Sequence, residues 1–411
     1  MGSGRSSGAP GPGYRAFKVE PSGGQREALR ALYEDVVRLK AKAKSLLYYR
    51  EEWGKALESA VEARASAGKR TPPKAPPLHL LLRFILPDGT VKGNRSAPAV
   101  VDLRRAELRI PSYGIRIPLR PSLVRTLLEE NNLEPRPEFV AQVTHSGKLR
   151  IIACRILRSE LALPLRVVTI DENSAHGFSI AVWDLSAKAV LADFEKLRPP
   201  NHGFRRKVAS LLQSFADKPS EETKNQLAKI LPPEALKTLT PERARELAEA
   251  ARRKERRLND DFIRKLVAKV RAPVRDALKK GMAALILIDP INSDSLRGTR
   301  LQGTLLRAKK LLKNMAVYEG AAFKMTRVSG KVCPRCHAVG VEVMHTKRSR
   351  IYECSRCGAR WDRDKGVHYN MVYSHFERLR KEECDDLTVL AARVLAALEE
   401  WLERHPNILT Y

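Results

Sequence analysis

Two Cys-x-x-Cys pairs constrain this chain more than any other feature. They are Cys333-Pro-Arg-Cys336 and Cys354-Ser-Arg-Cys357, with 17 residues between them. This spacing predicts a four-thiolate zinc ribbon, because each pair turns two sulfurs toward one tetrahedral ion while the residues between the pairs form a hairpin. Four thiolates leave no open coordination position, so we expect a structural zinc. Any chemistry must then come from residues beside the zinc.

The composition favours a soluble, multidomain protein with a polyanionic partner. The 411 residues are 43% hydrophobic and 30% charged, enough for two or three domains with their own cores. Lys and Arg total 76 against 47 Asp and Glu, a net charge of +29. Nucleic acid is the expected partner. A basic ribosomal or membrane-surface protein is the alternative, although the basic residues spread over the whole chain instead of one amphipathic helix.

Cysteine usage and hydropathy favour the cytoplasm. Outside the ribbon, Cys154 and Cys384 show no pairing pattern, which suits a reducing compartment. No apolar run reaches membrane-spanning length, and residues 1–13 lack the apolar core of a signal peptide and are expected to be disordered or tag-like. These features fit an intracellular protein. The charged surface and the prolines in loops also favour a thermophilic source.

The N-terminal half predicts helices followed by a small β-barrel. Apolar residues recur at helical spacing between residues 25 and 67, and a proline-rich joint follows at residues 71–77. Alternating hydrophobicity then predicts short strands, interrupted by one helix at residues 121–131. The predicted strands lie within residues 78–86, 99–103, 108–119 and 138–156.

The C-terminal half contains two buried strands that end in aspartate. Residues 166–171 end at Asp171, with a hairpin partner at 178–184, and residues 283–289 end at Asp289. A charged helical region at 203–280 separates them, with a break at 231–234 and a basic centre at 252–257 that is either a solvated face or a nucleic-acid-binding one. Residues 292–303 form either a mobile loop over a site or an ordinary connection. Further helices are predicted at 304–318, after Asp364 and at 386–404.

Three aspartates could converge on divalent cations. Asp171 and Asp289 end strands, and Asp364 begins a helix. Hard oxygen ligands suit Mg²⁺, and two such ions about 4 Å apart can activate water and stabilise the leaving oxygen of a phosphodiester. An aspartate at a strand end can instead cap the next helix, so spacing alone leaves both interpretations open.

The order of these parts resembles the RuvC-type nuclease half of TnpB, the transposon-encoded, RNA-guided DNA nuclease family of insertion sequences that is related to the type V CRISPR effectors. The match runs from Pro164 to about Phe376. It rests on both strand-end aspartates, the helical insert closing on residues 256–265, the split ribbon, and Asp362-Arg-Asp364 with Asn370. The N-terminal half, with a short basic strand at 14–20 and a barrel carrying residues 109–119, is similar to the family's wedge and recognition modules.

The resemblance implies an α/β multidomain fold. It consists of an N-terminal wedge β-barrel with inserted helices, then an RNase H-like RuvC α/β domain with an inserted four-cysteine zinc ribbon. The implied modules are a first wedge strand (14–24), a helical recognition module (25–76), the wedge barrel (77–163), a first RuvC part (164–328, with the insert 203–280), the ribbon (329–360), and a second RuvC part with the C-terminal helix (361–411).

Residue by residue, the family's first and last catalytic aspartates fall on Asp171 and Asp364, and its zinc ligands fall on the four ribbon cysteines. The family's central position usually holds glutamate, whereas this chain has Asp289, one methylene shorter. The chain also departs from the family at Glu172, which begins Glu-Asn-Ser where a glycine is usual, and at Gly366, where asparagine is common. Glu172 should point away from Asp171, its neighbour on the strand.

The resemblance implies a Mg²⁺-dependent endonuclease that cuts double-stranded DNA complementary to a guide RNA from the transposon end, next to a short flanking motif. One chain is expected on one RNA. The aromatic content of 6% argues against a binding mode built on stacked single strands. The alternatives are a guide-dependent DNA-binding protein whose cleavage Asp289 has weakened, and an unguided zinc-ribbon accessory of transposition.

Overall fold

The structure is a computed structural model with two compact units, one ending at Leu157 and one beginning at Arg158. It describes residues 13–38, 77–155, 157, 159–173, 177–186, 188–200, 203–290, 300–346, 349–381 and 385–405. The helical module beyond residue 38, most of the predicted loop at 292–303, and Cys384 lie outside the described residues. The expected mixed α/β, multidomain architecture is confirmed.

The first unit is built on a curled eight-stranded sheet. Its order is β1-β8-β7-β2-β4-β5-β6, with β3 paired to β2. In β2 every second residue is buried, as the alternating sequence predicts. The strands are β1 (Gly13–Val19), β2 (Leu78–Ile85), β3 (Val91–Gly93), β4 (Ala99–Asp102), β5 (Glu107–Ile110), β6 (Ile115–Pro118), β7 (Glu138–Val143) and β8 (Leu149–Arg155).

Two helices join the ends of this sheet. Helix α1 (Gly23–Arg38) follows β1, and its Gln25 side chain donates a 2.5 Å hydrogen bond to the Arg116 carbonyl of β6, the opposite end of the strand order. Helix α2 (Pro121–Asn131) has the predicted bounds, and its buried Glu130 forms an ion pair with Arg15 of β1. The predicted strands therefore form a curled sheet whose end strands are joined by helices, and the closed barrel stays a prediction.

The second unit has a five-stranded sheet of order β11-β10-β9-β12-β13. Strands β9, β10 and β11 are antiparallel neighbours, while β12 and β13 run parallel to β9. The predicted strands at 166–171, 178–184 and 283–289 are confirmed. The bounds are β9 (Leu165–Asn173), β10 (Gly177–Leu185), β11 (Ala189–Leu197), β12 (Ala283–Asp289) and β13 (Ala322–Met325).

Helices cover both faces of this sheet, because its inner strands are apolar on both sides. Val167 and Leu287 pack against the two C-terminal helices, α8 (Arg363–Lys381) and α9 (Asp385–Arg404). Their strand neighbours Val168 and Ile288 pack on the opposite face. There they meet α6 (Pro241–Lys279) and α7 (Arg300–Glu319).

The helical insert has a small core of its own. Helices α3 (Gly203–Asp217), α4 (Glu221–Ala228) and α5 (Pro233–Lys237) pack with the N-terminal half of α6. The contacts come from Leu212 of α3, Leu227 of α4, Leu236 of α5 and Ala248 of α6. The predicted break at 231–234 falls in a wider interruption that contains α5. Within the described ranges, each helix is too short or too polar to span a bilayer.

The region predicted as a zinc ribbon contains a three-stranded antiparallel sheet, β14 (Val341–His345), β15 (Arg350–Glu353) and β16 (Arg360–Asp362). Strand β16 runs without a break into α8. The ribbon is therefore continuous with the helix that carries Asp364.

Gly177, at the start of β10, provides a test of the packing in the second unit. Its φ is +86°, and a Cβ there would lie 2.3 Å from Pro199 Cδ and 2.4 Å from the Leu197 carbonyl oxygen. We expect Gly177→Ala to lower the free energy of unfolding by at least ~2 kcal/mol, measured by denaturant titration. Gly281→Ala is the matched control, because Gly281 has φ +70° with open space around the Cβ position and should cost only about 1 kcal/mol. Equal losses would contradict the steric account.

Candidate active site

A row of polar side chains crosses four strands of the central sheet. Asp289 of β12 is the register partner of Asp171 of β9, which pairs with Ser179 of β10, which in turn pairs with Lys196 of β11. Register partners on adjacent strands point to the same face of a sheet and lie about 5 Å apart. The sheet thus places both predicted strand-end aspartates side by side on the face covered by α8.

Helix α8 brings the third aspartate to this face. Asp362, the last residue of β16, accepts hydrogen bonds at Oδ1 from the backbone N–H groups of Asp364 (2.8 Å) and Lys365 (3.3 Å). Ser349 Oγ donates to the other carboxylate oxygen at 2.5 Å. Asp362 therefore caps the helix, and Asp364 lies buried in its first turn.

The zinc-ribbon region fixes the orientation of α8. Asn370 donates to the carbonyls of Ser329 (3.2 Å) and Val332 (2.9 Å), just before the first cysteine pair. Gly366 lies under the Trp361 ring, and a Cβ at Gly366 would be 2.5 Å from Trp361 Cδ1. This contact gives a physical reason for glycine at position 366.

Burial and mutual repulsion govern the charges of the two strand aspartates. Burial raises the pKa of Asp171 to about 7, and the charges of Asp289 and Asp364 add to the shift. Burial likewise raises the pKa of Asp289 to about 6, with a further contribution from the charge of Glu172. Without a cation, the site therefore resists carrying its full negative charge.

Asp364 behaves differently because it has a basic neighbour. Burial acts to raise its pKa, but the hydrogen bond and charge of Lys196, together with the charges of Arg363 and Arg350, outweigh burial and lower the pKa of Asp364 below its ordinary value. Lys196 Nζ lies 2.6 Å from Asp364 Oδ2, whereas Asp364 Oδ1 is buried and accepts no hydrogen bond. Arg363 is 3.9 Å from that second oxygen.

These features fit a hard divalent cation. The donors are carboxylate oxygens, one of them is buried without a hydrogen bond, and a cation would relieve the repulsion that raises the pKa of Asp171. Among the described residues, the three aspartates do not form a group whose ligand atoms all lie within 4.8 Å of one another. Drawing two buried carboxylates and the half-buried Asp289 together costs Coulomb energy unless a cation is bound.

Asp171, Asp289 and Asp364 are called the acidic row below. Sequence reasoning missed His368, which lies beneath this row. One turn after Asp364 on α8, its ring nitrogens contact Thr169 Oγ1 at 2.8 Å and Ser179 Oγ at 3.0 Å. Complete burial lowers the pKa of His368 to about 3, so the ring is neutral. His368 joins α8 to β9 and β10. The four-residue spacing from Asp364 is the one sequence signal that could have placed it on this face.

Glu172 lies on the other face of the sheet, as the strand alternation predicts. Its fully buried side chain forms a 3.0 Å ion pair with Lys309 of α7. The prediction that Glu172 points away from Asp171 is confirmed by this contact.

The four ribbon cysteines form a second cluster that fits a metal ion. The Sγ atoms of Cys333 and Cys357 are 3.6 Å apart, those of Cys336 and Cys354 are 3.4 Å apart, and all four lie within 4.8 Å of one another. Disulfide sulfurs would be about 2.05 Å apart, whereas a tetrahedral zinc with 2.3 Å bonds separates its sulfurs by about 3.8 Å. The spacing and the all-thiol donor set therefore suit zinc.

Two matching turns build this cluster. The residue after the second cysteine of each pair has a left-handed backbone, His337 with φ +59° and Gly358 with φ +67°. The backbone N–H of His337 donates a hydrogen bond to the Cys333 carbonyl at 3.0 Å, and that of Gly358 donates to the Cys354 carbonyl at 2.9 Å. His337 also stacks on Tyr373 of α8 at 4.2 Å between ring centroids, which ties the first turn to that helix.

No protein-family model matches the sequence, and no curated protein does. Among solved structures, the fold is similar to the mini RNA-guided endonuclease CRISPR-Cas phi3, with 9% identity over 59% of this chain and 53% of that one and a TM-score of 0.35. It is also similar to Cas12f1 in a complex with sgRNA and target DNA (10% identity, 84% and 79% covered, TM-score 0.37). A third similar structure is CasPhi-2 (Cas12j) bound to crRNA, with 12% identity over 61% of this chain and 55% of that one and a TM-score of 0.33.

The chain spans about half the length of the first and third of these proteins. At such identities and TM-scores, the function has to be argued from this chain's own residues.

Removal of one ribbon thiolate tests the zinc assignment. We expect Cys354→Ser to reduce zinc from about one per chain to near none and to lower the melting temperature, because zinc binding contributes to folding. Zinc is measured by plasma mass spectrometry and unfolding by calorimetry. Cys154→Ser is the control, since Cys154 lies on β8 outside the cluster. Retention of zinc with an unchanged melting temperature would overturn the assignment.

Proposed function

We propose that this protein is a metal-dependent nuclease with an RNase H-like, RuvC-type domain. The observation that carries the proposal is the register pairing of Asp289 with Asp171 on adjacent parallel strands, with Asp364 at the start of the covering helix. The sheet order β11-β10-β9-β12-β13 supports it, because three antiparallel strands followed by two parallel ones are the arrangement expected of an RNase H-like domain.

In this proposal Asp171, Asp289 and Asp364 would hold Mg²⁺ through carboxylate oxygens. Two such ions, when bound, supply an activated water and stabilisation of the leaving oxygen of a phosphodiester. The protein residues orient these ligands: His368 joins α8 to the strands that carry Asp171 and Ser179, and Asp362 fixes the first turn of α8. The buried setting excludes water from one side of each carboxylate and strengthens its interaction with a cation.

We further propose that the substrate is double-stranded DNA selected by a guide RNA from a transposon end. The motif order shared with TnpB and the net charge of +29 support this assignment. Exposed arginines on α6, Arg253, Arg256 and Arg257, offer positive charge for a phosphate backbone. A discrete RNA that stays bound through high-salt purification is expected. Loss of all RNA would favour the unguided transposition accessory.

Substitution of Asp171 tests the nuclease directly. We expect Asp171→Ala to abolish plasmid cleavage by the RNA complex while RNA binding stays within about twofold, because the side chain contributes a ligand and no part of an RNA-binding surface. Cleavage is measured with Mg²⁺ and with chelator, on a target beside a randomised flanking motif. Asp193→Ala is the matched control, since Asp193 is an exposed aspartate of β11 in the same sheet. A variant that still cuts would remove Asp171 from the mechanism.

A guide-dependent DNA-binding protein with weak cleavage is the second candidate. Asp289 favours it, because its side chain is one methylene shorter than the glutamate usual in the family, and a misplacement near 1 Å can cost ~100-fold in rate. We expect Asp289→Glu to discriminate: a large gain in the cleavage rate indicates a weakened site, and no gain or a loss indicates that aspartate is the native ligand. Target binding is measured in parallel by gel shift.

A further inference from the structure

Lys196 forms a short ion pair with Asp364 in the candidate site. Its Nζ atom lies 2.6 Å from Asp364 Oδ2, and the two side chains are 27% and 8% exposed. The contact joins residues 168 positions apart in the sequence. A buried carboxylate oxygen that a cation would use is thus already in contact with an ammonium group.

The backbone holds Lys196 at this place. Lys196 pairs with Ser179, the residue beside Asp171 in the row, so its side chain rises on the same face as the acidic residues. The ring of Phe194 lies beneath it, with Nζ 5.9 Å from the ring centroid, and the same ring packs edge-on against His368. Strand register and the Phe194 ring therefore hold the Lys196 side chain beside Asp364. Only another cation that competes for the carboxylate would displace it.

The two oxygens of Asp364 therefore differ. Oδ2 is in contact with Lys196, while Oδ1 is buried, accepts no hydrogen bond and lies 3.9 Å from Arg363. A cation at Oδ1 would meet the repulsion of a nearby ammonium group, and a cation at Oδ2 would have to displace it. In both cases Lys196 opposes the binding of a divalent ion.

We propose that Lys196 is a positioning residue. It serves as an internal counter-ion for Asp364 and sets the affinity of the acidic row for divalent metal ions. In the metal-free protein it neutralises one carboxylate and holds it toward β11. A divalent ion bound at Oδ2 would displace Lys196 from this contact. The inference rests on the proposed function, because it requires that the acidic row binds divalent cations.

The test is a titration of the zinc-loaded, full-length protein with Mn²⁺, followed by the electron paramagnetic resonance signal of the free ion. We expect Lys196→Met to tighten Mn²⁺ binding about tenfold. Methionine has a volume similar to that of lysine, but it lacks the positive charge that competes with the metal ion. Lys196→Arg keeps the charge and should stay close to wild type. A purely structural lysine would give the opposite sign, since its loss would loosen the site and weaken binding.

Lys269→Met is the matched control. Lys269 forms a 2.8 Å ion pair with Glu195. Glu195 precedes Lys196 on β11, and its side chain points to the other face of the sheet. This variant removes one charge from the same strand and should leave Mn²⁺ affinity unchanged. Asp171→Ala should lose Mn²⁺ binding, which assigns the signal to the acidic row.

The outcomes separate the two proposals. Unchanged or weaker Mn²⁺ binding by Lys196→Met, with normal binding by wild type, would overturn the role of Lys196 and leave the nuclease proposal standing. Wild-type protein that neither binds Mn²⁺ nor cuts DNA would overturn both.

Discussion

Burial of several carboxylates at one end of a sheet is the constraint on which the second unit depends. Asp171 and Asp289 share a register position, and Asp364 lies over the same face, so their charges repel in a setting that water solvates poorly. The structure offsets this cost locally: Lys196 neutralises Asp364, and the pKa values of the other two rise. An arrangement that is unfavourable by itself and favourable with a cation is typical of functional sites.

Much of the second unit could be predicted because its inner strands are apolar on both faces. The run at 283–289, stopped by Pro290, and the run ending at Asp171 were located within two residues of the observed strands. Strands β11 and β13 were missed: β11 is mostly half-exposed or exposed, and β13 has only four residues, so neither shows the pattern of a buried strand. The same reason hid Lys196, which lies on β11.

The candidate site was predicted by residue type but not by geometry. Aspartates after buried strands indicated the ligands, yet the pairing of Asp289 with Asp171 depends on a register between strands more than 100 residues apart, which local sequence does not encode. His368 was hidden for a related reason. Its polar partners, Thr169 and Ser179, come from two strands distant in sequence, so its role emerges only after folding.

The continuity of β16 with α8 links cysteine chemistry to the acidic residues. Oxidation of the four thiols by a peroxide would remove the donor set that makes this cluster suit zinc, since sulfenic acids and disulfides bind zinc poorly. The first contacts to weaken would be the hydrogen bonds from Asn370 to the carbonyls of Ser329 and Val332, and the stacking of His337 on Tyr373. Because Asn370 and Tyr373 lie on the same helix as Asp364, loosening of these contacts would loosen the helix that carries Asp364.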